Sequence, residues 1–410
     1  MLHGPGWPPS NIPAFHRVAV SAFVQMPVAL LLSCIFAFGL SAQSHPHDKL
    51  PKPRRLDPLN GWTRDLSTGE LNASAGAPRP ANGDVAAVRP ISVTTQIVPV
   101  TCSVSDAMGA AVRNIPRSDF RVYDNGVLQQ ISYFDASADP AGVALVMDAS
   151  PSVLRESADM KNAARMLVDS LASSDQIAVV DFSAHTYLQL PFSNDWGLIR
   201  KAVTRVDARS LLSDTGGSNI YESLFLVARE LFVGRKGRKA IVLLTDGQDS
   251  GLGLTLDPAT ASPRPGWPRD RLTFEDVARA LASADIQVFA VSTESRPKIM
   301  TPDWLAAHAD TTLLDSTARK GQIPAYTLYL AELTRRTGGH LYFLREANTL
   351  ADTFQQIALK IRAEYTLGFS PVSPQAGIPT PGWHELRAEV SGHGDPKIVY
   401  RTAYYVPPVR

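Results

Sequence analysis

Cysteine is almost absent: the 410-residue chain carries Cys34 and Cys102 and no other. A disulfide framework is therefore excluded as the source of stability, the more so because the segment holding Cys34 reads as a removable leader. Cys102, next to Val100, Thr101 and Val104, reads as a buried strand residue. Net charge is lacking too. Forty Lys and Arg balance 39 Asp and Glu, leaving +1, so the field of the molecule draws it neither to nucleic acid nor to an anionic membrane. The nine His residues are scattered, with no His-x-x-x-His and no Cys-x-x-Cys pair, which closes the usual soft-ligand route to zinc. Neither a Gly-x-Ser-x-Gly elbow nor a Gly-x-x-x-x-Gly-Lys phosphate loop occurs.

What is present is a globular composition, 44% hydrophobic and 19% charged, long enough for two or three domains. Val18 to Ala42 has no charged side chain, and Val28 to Leu40 is an apolar run preceded by His16 and Arg17. This has the outline of a secretory signal, with Leu40-Ser41-Ala42 as the cleavage site and a mature start near Gln43. An uncleaved membrane anchor is the second reading, since about 25 such residues span a bilayer. A lipidation box at Leu31-Leu32-Ser33-Cys34 is the third. Residues 1–42 are thus a signal peptide or anchor, and the expected location is exported: periplasmic, cell-surface or secreted.

Residues 43–90 are rich in Pro, Ala, Ser, Asn and Gly and read as a disordered linker. From 91 to 136 short β runs appear at Thr95–Val104, Asp119–Tyr123 and Leu128–Phe134. Asp124-Asn125-Gly126 between the last two predicts a hairpin, because it supplies left-handed conformations cheaply. From 141 to 362 helical and β segments alternate. Val143–Met147 is a continuous apolar run suited to a strand buried on both faces, and Asp159–Leu171 an amphipathic helix. Strands follow at Ile177–Phe182, Lys239–Leu244, Ile286–Val291 and His340–Leu344. The helices fall at Trp196–Val206, Tyr221–Phe232, Thr273–Ser283, Ala325–Arg336 and Thr349–Arg362. That alternation specifies an α/β fold, a doubly wound and mostly parallel sheet. From 363 to 406 strands return at Tyr365–Phe369, His384–Val390 and Lys397–Tyr405. Two strand-rich flanks, each too short for its own sheet, predict one small β-sandwich into which the α/β domain is inserted.

The chemistry concentrates at strand ends. Val143–Met147 runs into Asp148-Ala149-Ser150-Pro151-Ser152, whose alternating oxygens face one way in an extended loop. Lys239–Leu244 runs into Thr245-Asp246-Gly247, and Thr215-Gly216-Gly217-Ser218-Asn219 precedes a helix. In open α/β sheets ligands bind outside the carboxyl ends of the strands. Asp148, Ser150, Ser152, Ser218 and Asp246 would form an all-oxygen site for a hard cation: Mg²⁺, with Mn²⁺ or Ca²⁺ as alternatives. Each part also has a plainer reading. Ser150, Ser152 and Ser218 suit helix caps, Asp246-Gly247 suits a turn, and Asn219 and Asp249 read as turn residues.

Residues 141–362 resemble a von Willebrand factor A domain with a metal-ion-dependent adhesion site, its D-x-S-x-S standing as Asp148, Ser150 and Ser152 and its Asp-Gly as Asp246-Gly247. Ser218 stands where that family usually has Thr, which keeps the hydroxyl. The flanking Ser118-Asp119-Phe120-Arg121-Val122-Tyr123-Asp124-Asn125-Gly126 and Tyr400-Arg401-Thr402-Ala403-Tyr404-Tyr405 are similar to a bacterial subgroup of exported A-domain proteins abundant in acidobacteria. The resemblance implies a non-catalytic, cation-dependent adhesion or binding module in which the metal bridges to a carboxylate of a protein partner. It implies no nucleic-acid partner, and contact with a membrane only through the N-terminal anchor. In that family the hydroxyls bind directly and one or both Asp act through water. Two other classes stay open: a metal-assisted or serine hydrolase, for which His185 could approach the sheet although no spacing places it beside Ser150 or Ser152, and an envelope scaffold with a vestigial metal site. The insert Ser250–Arg271 could rim the metal face.

Overall fold

The computed structural model describes residues 49–56, 62–64, 71–73, 97–106, 111–136, 139–213, 217–252, 272–308, 313–315, 322–345, 350–362, 364–371, 380–394 and 396–406, all within one compact unit, Lys49–Arg410. The expected leader at 1–42 and most of the insert 250–271 lie outside them. Among the described residues no helix is long and apolar enough to cross a membrane.

The stretch expected to be a disordered linker is partly ordered. Strands β1 (Arg54–Arg55), β2 (Trp62–Arg64) and β3 (Leu71–Ala73) fall inside it. Two isolated leucines, Leu56 and Leu71, are 1% and 5% exposed in the main core, and Arg64 reaches both oxygens of Asp276 at 3.0 and 2.6 Å. Widely spaced anchors leave no periodicity to read, yet each buries a side chain or pairs a charge.

The first flank supplies β4 (Val98–Ser105), β5 (Phe120–Asp124), β6 (Val127–Gln129) and β7 (Ile131–Asp135). The inserted region then runs β8 (Gly142–Asp148), α1 (Ser157–Ser170), β9 (Gln176–Phe182), β10 (Thr186–Ser193), α2 (Trp196–Ser213), α3 (Ile220–Leu226), β11 (Lys239–Thr245), α4 (Phe274–Ser283), β12 (Gln287–Ser292), α5 (Pro302–Ala307), α6 (Ala325–Thr337), β13 (His340–Phe343) and α7 (Leu350–Arg362). Strands β14 (Glu364–Phe369), β15 (Gly382–Val390), β16 (Lys397–Tyr400) and β17 (Ala403–Val406) close the chain.

The central sheet has the order β1-β10-β9-β8-β11-β12-β13, parallel from β9 to β13 and antiparallel at β10 and β1. All seven residues of β8 are buried because helices cover both faces. Ala144 and Val146 face a core shared with α3, α4 and α6, while Val143, Leu145 and Met147 face one shared with α1, α2 and α7. From β8 the chain winds one way to β9 and from β11 the other way to β12, so the topological switch lies between β8 and β11. Crevices at such a point, outside the carboxyl ends, are where this architecture binds ligands.

The flanks interleave as expected. One sheet is ordered β16-β4-β14-β7 and the other β17-β15-β5-β6, so each contains strands from both ends of the chain. Asn125 and Gly126 adopt φ of 47° and 79°, closing the β5–β6 hairpin as read. Two expected strands are each broken in two. Leu128–Phe134 divides at Gln130, with β6 pairing β5 and β7 pairing β14 in the other sheet. Lys397–Tyr405 divides at Arg401, where β16 pairs β4 and β17 pairs β15. Arg401, 4% exposed, donates to the carbonyls of Ala282 and Pro99 and ties the sandwich to the end of α4. Strand β10 was not foreseen; it contains Pro191 and meets β9 through irregular register, which hides its alternation.

Gly338 and Gly339 turn α6 into β13. A Cβ on Gly339 would stand 1.9 Å from the Val288 carbonyl oxygen, and backbone cannot yield as a side-chain tip can. Gly339→Ala is accordingly expected to lower unfolding free energy by about 2 kcal/mol or more, the upper range for overpacked interiors. Urea unfolding followed by circular dichroism measures it; an unchanged midpoint contradicts the packing described.

Candidate metal centre

The site grows from two neighbouring strand ends. Asp148 is the last residue of β8 and Thr245 the last of β11, and the register that pairs Met147 with Leu244 sets them level. Thr245 Oγ1 donates to Asp148 Oδ2 at 2.6 Å and accepts the Gly247 amide at 3.0 Å. The Ser150 amide donates to Asp148 Oδ1 at 2.9 Å, turning the loop back over the strand end. The Ser150 and Ser152 hydroxyls lie 3.0 Å apart, and Ser218 Oγ is 3.5 Å from Asp148 Oδ2. Asp148, Ser150, Ser218 and Asp246 are each 4% exposed, whereas Ser152 is exposed, so the cluster has a buried floor and an open rim.

The structure therefore brings Asp148, Ser150, Ser152 and Ser218 together, and Asp246 close enough for its charge to act on Asp148. The capping reading is not realised: Ser150 begins the short turn Pro151–Val153 without a side-chain capping bond, and α3 begins without one. The turn reading of Asp246 is realised, since its Oδ1 accepts the Gln248 amide at 2.8 Å. Thr245 was missed. Its signal was available, because a residue at the end of the strand beside β8 must lie level with Asp148.

Asn219 and Asp249 are turn residues, as expected, and they position the site. Asn219 donates to the Ala184 carbonyl at 2.9 Å, and Asp249 accepts the amides of Tyr221 and Leu252 at 3.3 and 2.7 Å. Ser250 grips Ser218 twice, its amide on the Ser218 carbonyl at 2.7 Å and its hydroxyl accepting the Ser218 amide at 3.2 Å. The Ser218 loop is thereby fastened to the loop carrying Asp246. His185 is engaged elsewhere, 2.8 Å from an Arg55 guanidinium nitrogen.

Burial pushes the Asp148 carboxyl up to about 7; hydrogen bonds from Ser150 and Thr245 pull against that, and the Asp246 charge adds to it. Asp249, also buried, is pushed up to about 6. Among the described residues no Lys, Arg or His pairs with Asp148 or Asp246. Two carboxylates and three hydroxyls with no cation supplied by the described residues are a fitting donor set for a hard divalent ion, which takes oxygen ligands. A zinc centre built on nitrogen and sulfur does not fit. Among the described residues no group of three or more His, Cys, Asp and Glu is placed to hold a metal.

Residues 143–248 match the family profile of the von Willebrand factor type A domain, so the α/β region contains a domain of that kind. No curated protein matches the chain. Similar solved structures include an aerotolerance-related membrane protein from Bacteroides fragilis, 17% identical over 54% of this chain and 98% of its own, TM-score 0.37. A von Willebrand factor type A protein from Catenulispora acidiphila is 15% identical over 73% of this chain and 75% of its own, TM-score 0.36. Proximal thread matrix protein 1 from the mussel byssus, with a zinc-occupied MIDAS motif, is 17% identical over 58% of this chain and 49% of its own, TM-score 0.37.

The raised Asp148 carboxyl has a definite sign. In the metal-free protein the unfolded chain ionises near the ordinary 3.8 while the folded chain holds its proton to about 7. This group's contribution to stability therefore falls as pH rises from about 4 to about 7 and is flat above and below. Asp148→Asn is expected to remove that slope in EDTA, read as unfolding free energy against pH; an identical slope in the variant contradicts the assignment.

Proposed function

We propose that this chain is an exported, non-catalytic binding protein that holds a divalent cation, Mg²⁺ foremost, at Asp148, Ser150, Ser152, Ser218 and Asp246, and engages a carboxylate of a protein partner there. The observation that carries the reading is the pair of buried carboxylates, without a cationic partner among the described residues and ringed by three hydroxyls, at the switch point of the sheet. A bound cation supplies the missing positive charge and, with only two anionic residues around it, remains electrophilic toward an anionic oxygen from outside.

The chain's own residues divide the work. Ser150, Ser152 and Ser218 offer hydroxyl oxygens. Thr245 holds one Asp148 oxygen by donating to it, and the Ser150 amide holds the other, so the carboxylate is oriented before any ion arrives. Ser250 and Asp249 set the Ser218 loop. On the open side Ser152 and Arg155 are exposed and Leu154 is 50% exposed, giving a partner both a polar and an apolar contact.

A non-catalytic role is favoured by one feature. The histidine that a serine nucleophile would need is bonded to Arg55. Export rests on the uncharged stretch from Val18 to Ala42.

Titrating Mg²⁺ into the protein calorimetrically tests the reading. One ion per chain is expected, with loss of detectable binding in Asp148→Ala and weakening of about tenfold in Ser218→Ala. Capture of envelope proteins on the immobilised chain should then need Mg²⁺ and be reversed by EDTA. Mg²⁺-independent capture, with no heat of metal binding, would place the protein among scaffolds with a vestigial site. Turnover of an ester or phosphoester panel that disappears in Ser150→Ala would make it a hydrolase.

A further inference from the structure

The loops that supply the hydroxyls of the cation site are both held by one turn. Phe182, the last residue of β9, accepts the Ala149 amide at 2.7 Å, which fixes the loop carrying Asp148, Ser150 and Ser152. In the turn 183–185 that follows, the Ser183 carbonyl accepts the Asn219 amide and the Ala184 carbonyl accepts the Asn219 side chain, each at 2.9 Å, which fixes Ser218 through its neighbour. Thr186, the first residue of β10, adds a further hold on the same loop. Its hydroxyl meets that of Ser223 at 2.7 Å, and Ser223 donates to the Asn219 carbonyl at 2.8 Å. The spacing of the hydroxyls therefore depends on residues 182–186 as well as on the strand ends that carry the acids.

The outer side of that turn is held by residues 49–56, in the stretch whose composition reads as linker. Arg54 and Arg55 form β1 at the edge of the central sheet, opposite Leu188 and Tyr187. The Leu56 amide donates to the Thr186 carbonyl at 3.0 Å, and its side chain, 1% exposed, enters the core that also contains Phe182, Ile220 and Tyr221. An Arg55 guanidinium nitrogen lies 2.8 Å from His185 Nδ1. This strap thus meets the turn at His185 and Thr186, while Ser183 and Ala184 meet the Ser218 loop. Strand β1 has only two residues, both exposed, so Leu56 is its anchor. An element with so little buried surface opens at much lower cost than the sheet it borders.

Resting on the cation reading above, we propose that Arg55 and Leu56 are positioning residues of the metal centre. With Leu56 seated and Arg55 on His185, the turn holds both hydroxyl-bearing loops in place; with the strap off β10 the turn loses its outer support and cation affinity falls. Groups that orient ligands without touching the metal commonly govern affinity by about 10- to 100-fold. Linkage makes the coupling reciprocal: whatever factor the seated strap adds to cation affinity is added equally to the seating of the strap when the site is loaded. A force or partner that draws residues 49–56 off the sheet would thereby weaken binding at the metal.

Calorimetric titration of Mg²⁺ into variants of the full chain, with amide hydrogen exchange in the unaltered protein, tests the coupling. Leu56→Ala is expected to bind Mg²⁺ about tenfold more weakly, and Leu56→Met, which keeps the apolar anchor, to stay within about twofold of the unaltered chain. Leu386→Ala, an equal truncation in the core of the sandwich, should leave the affinity unchanged, which separates positioning from general loss of packing. Arg55→Ala alters an exposed residue, should also weaken binding, and decides the matter if Leu56→Ala does not fold. In the unaltered chain saturating Mg²⁺ should slow exchange of the Leu56 amide by the factor that Leu56→Ala loses in affinity. Absence of any heat of Mg²⁺ binding in the unaltered chain would remove the cation reading and this inference with it. One Mg²⁺ affinity shared by the unaltered chain, Leu56→Ala and Arg55→Ala would keep the cation reading and overturn the coupling alone. Equal weakening in Leu386→Ala, or Leu56 exchange indifferent to Mg²⁺, would overturn it as well.

Discussion

Asp148 is a carboxylate at the end of a strand that has no exposed residue, and the described residues provide it with hydrogen-bond donors but with no cation. Burying an ionised carboxylate in that way is strongly unfavourable unless the charge is removed by protonation or matched by an ion. Several features follow from this one constraint. Thr245 lies level with it on the next strand, Ser150 folds back onto it, and Ser218 is brought from a distant loop that Ser250 fastens in place.

The sheet topology explains why the constraint falls at that place. The strand order reverses between β8 and β11, so the loops leaving their carboxyl ends diverge and open a crevice. Both strands are covered by helices on two faces and cannot shift without breaking two cores at once. The rigidity of the frame is what allows loops without regular structure to hold oxygens within hydrogen-bond distance of one another. The sandwich adds a second frame, knitted from both ends of the chain, so that the inserted domain is held by its entry and its exit alike.

Most of the inserted domain was legible because its signals are local: the continuous apolar run Val143–Met147 and the amphipathic stripe of Asp159–Leu171 each state their own burial. The five candidate residues were legible because each sits at the end of such an element. What escaped depends on contacts far apart in sequence. Leu56 and Leu71 carry no pattern, and only the folded core shows that they belong to it. The breaks at Gln130 and Arg401 escaped because an uninterrupted β run looks the same whether it serves one sheet or passes between two. Arg401 reads as a surface residue until its carbonyl partners at Ala282 and Pro99 are known. Thr245 was hidden by its neighbour Asp246, whose charge draws the eye, although register decides which of the two touches Asp148.

Anomalous diffraction from crystals of the protein grown with Mn²⁺ tests the central claim most directly. The account predicts one strong peak at ligand distance, about 2.0–2.6 Å for hard cations, from the hydroxyl oxygens of Ser150, Ser152 and Ser218, with Asp148 and Asp246 in contact directly or through water. A peak elsewhere, or none in crystals diffracting well enough to place those hydroxyls, would contradict it.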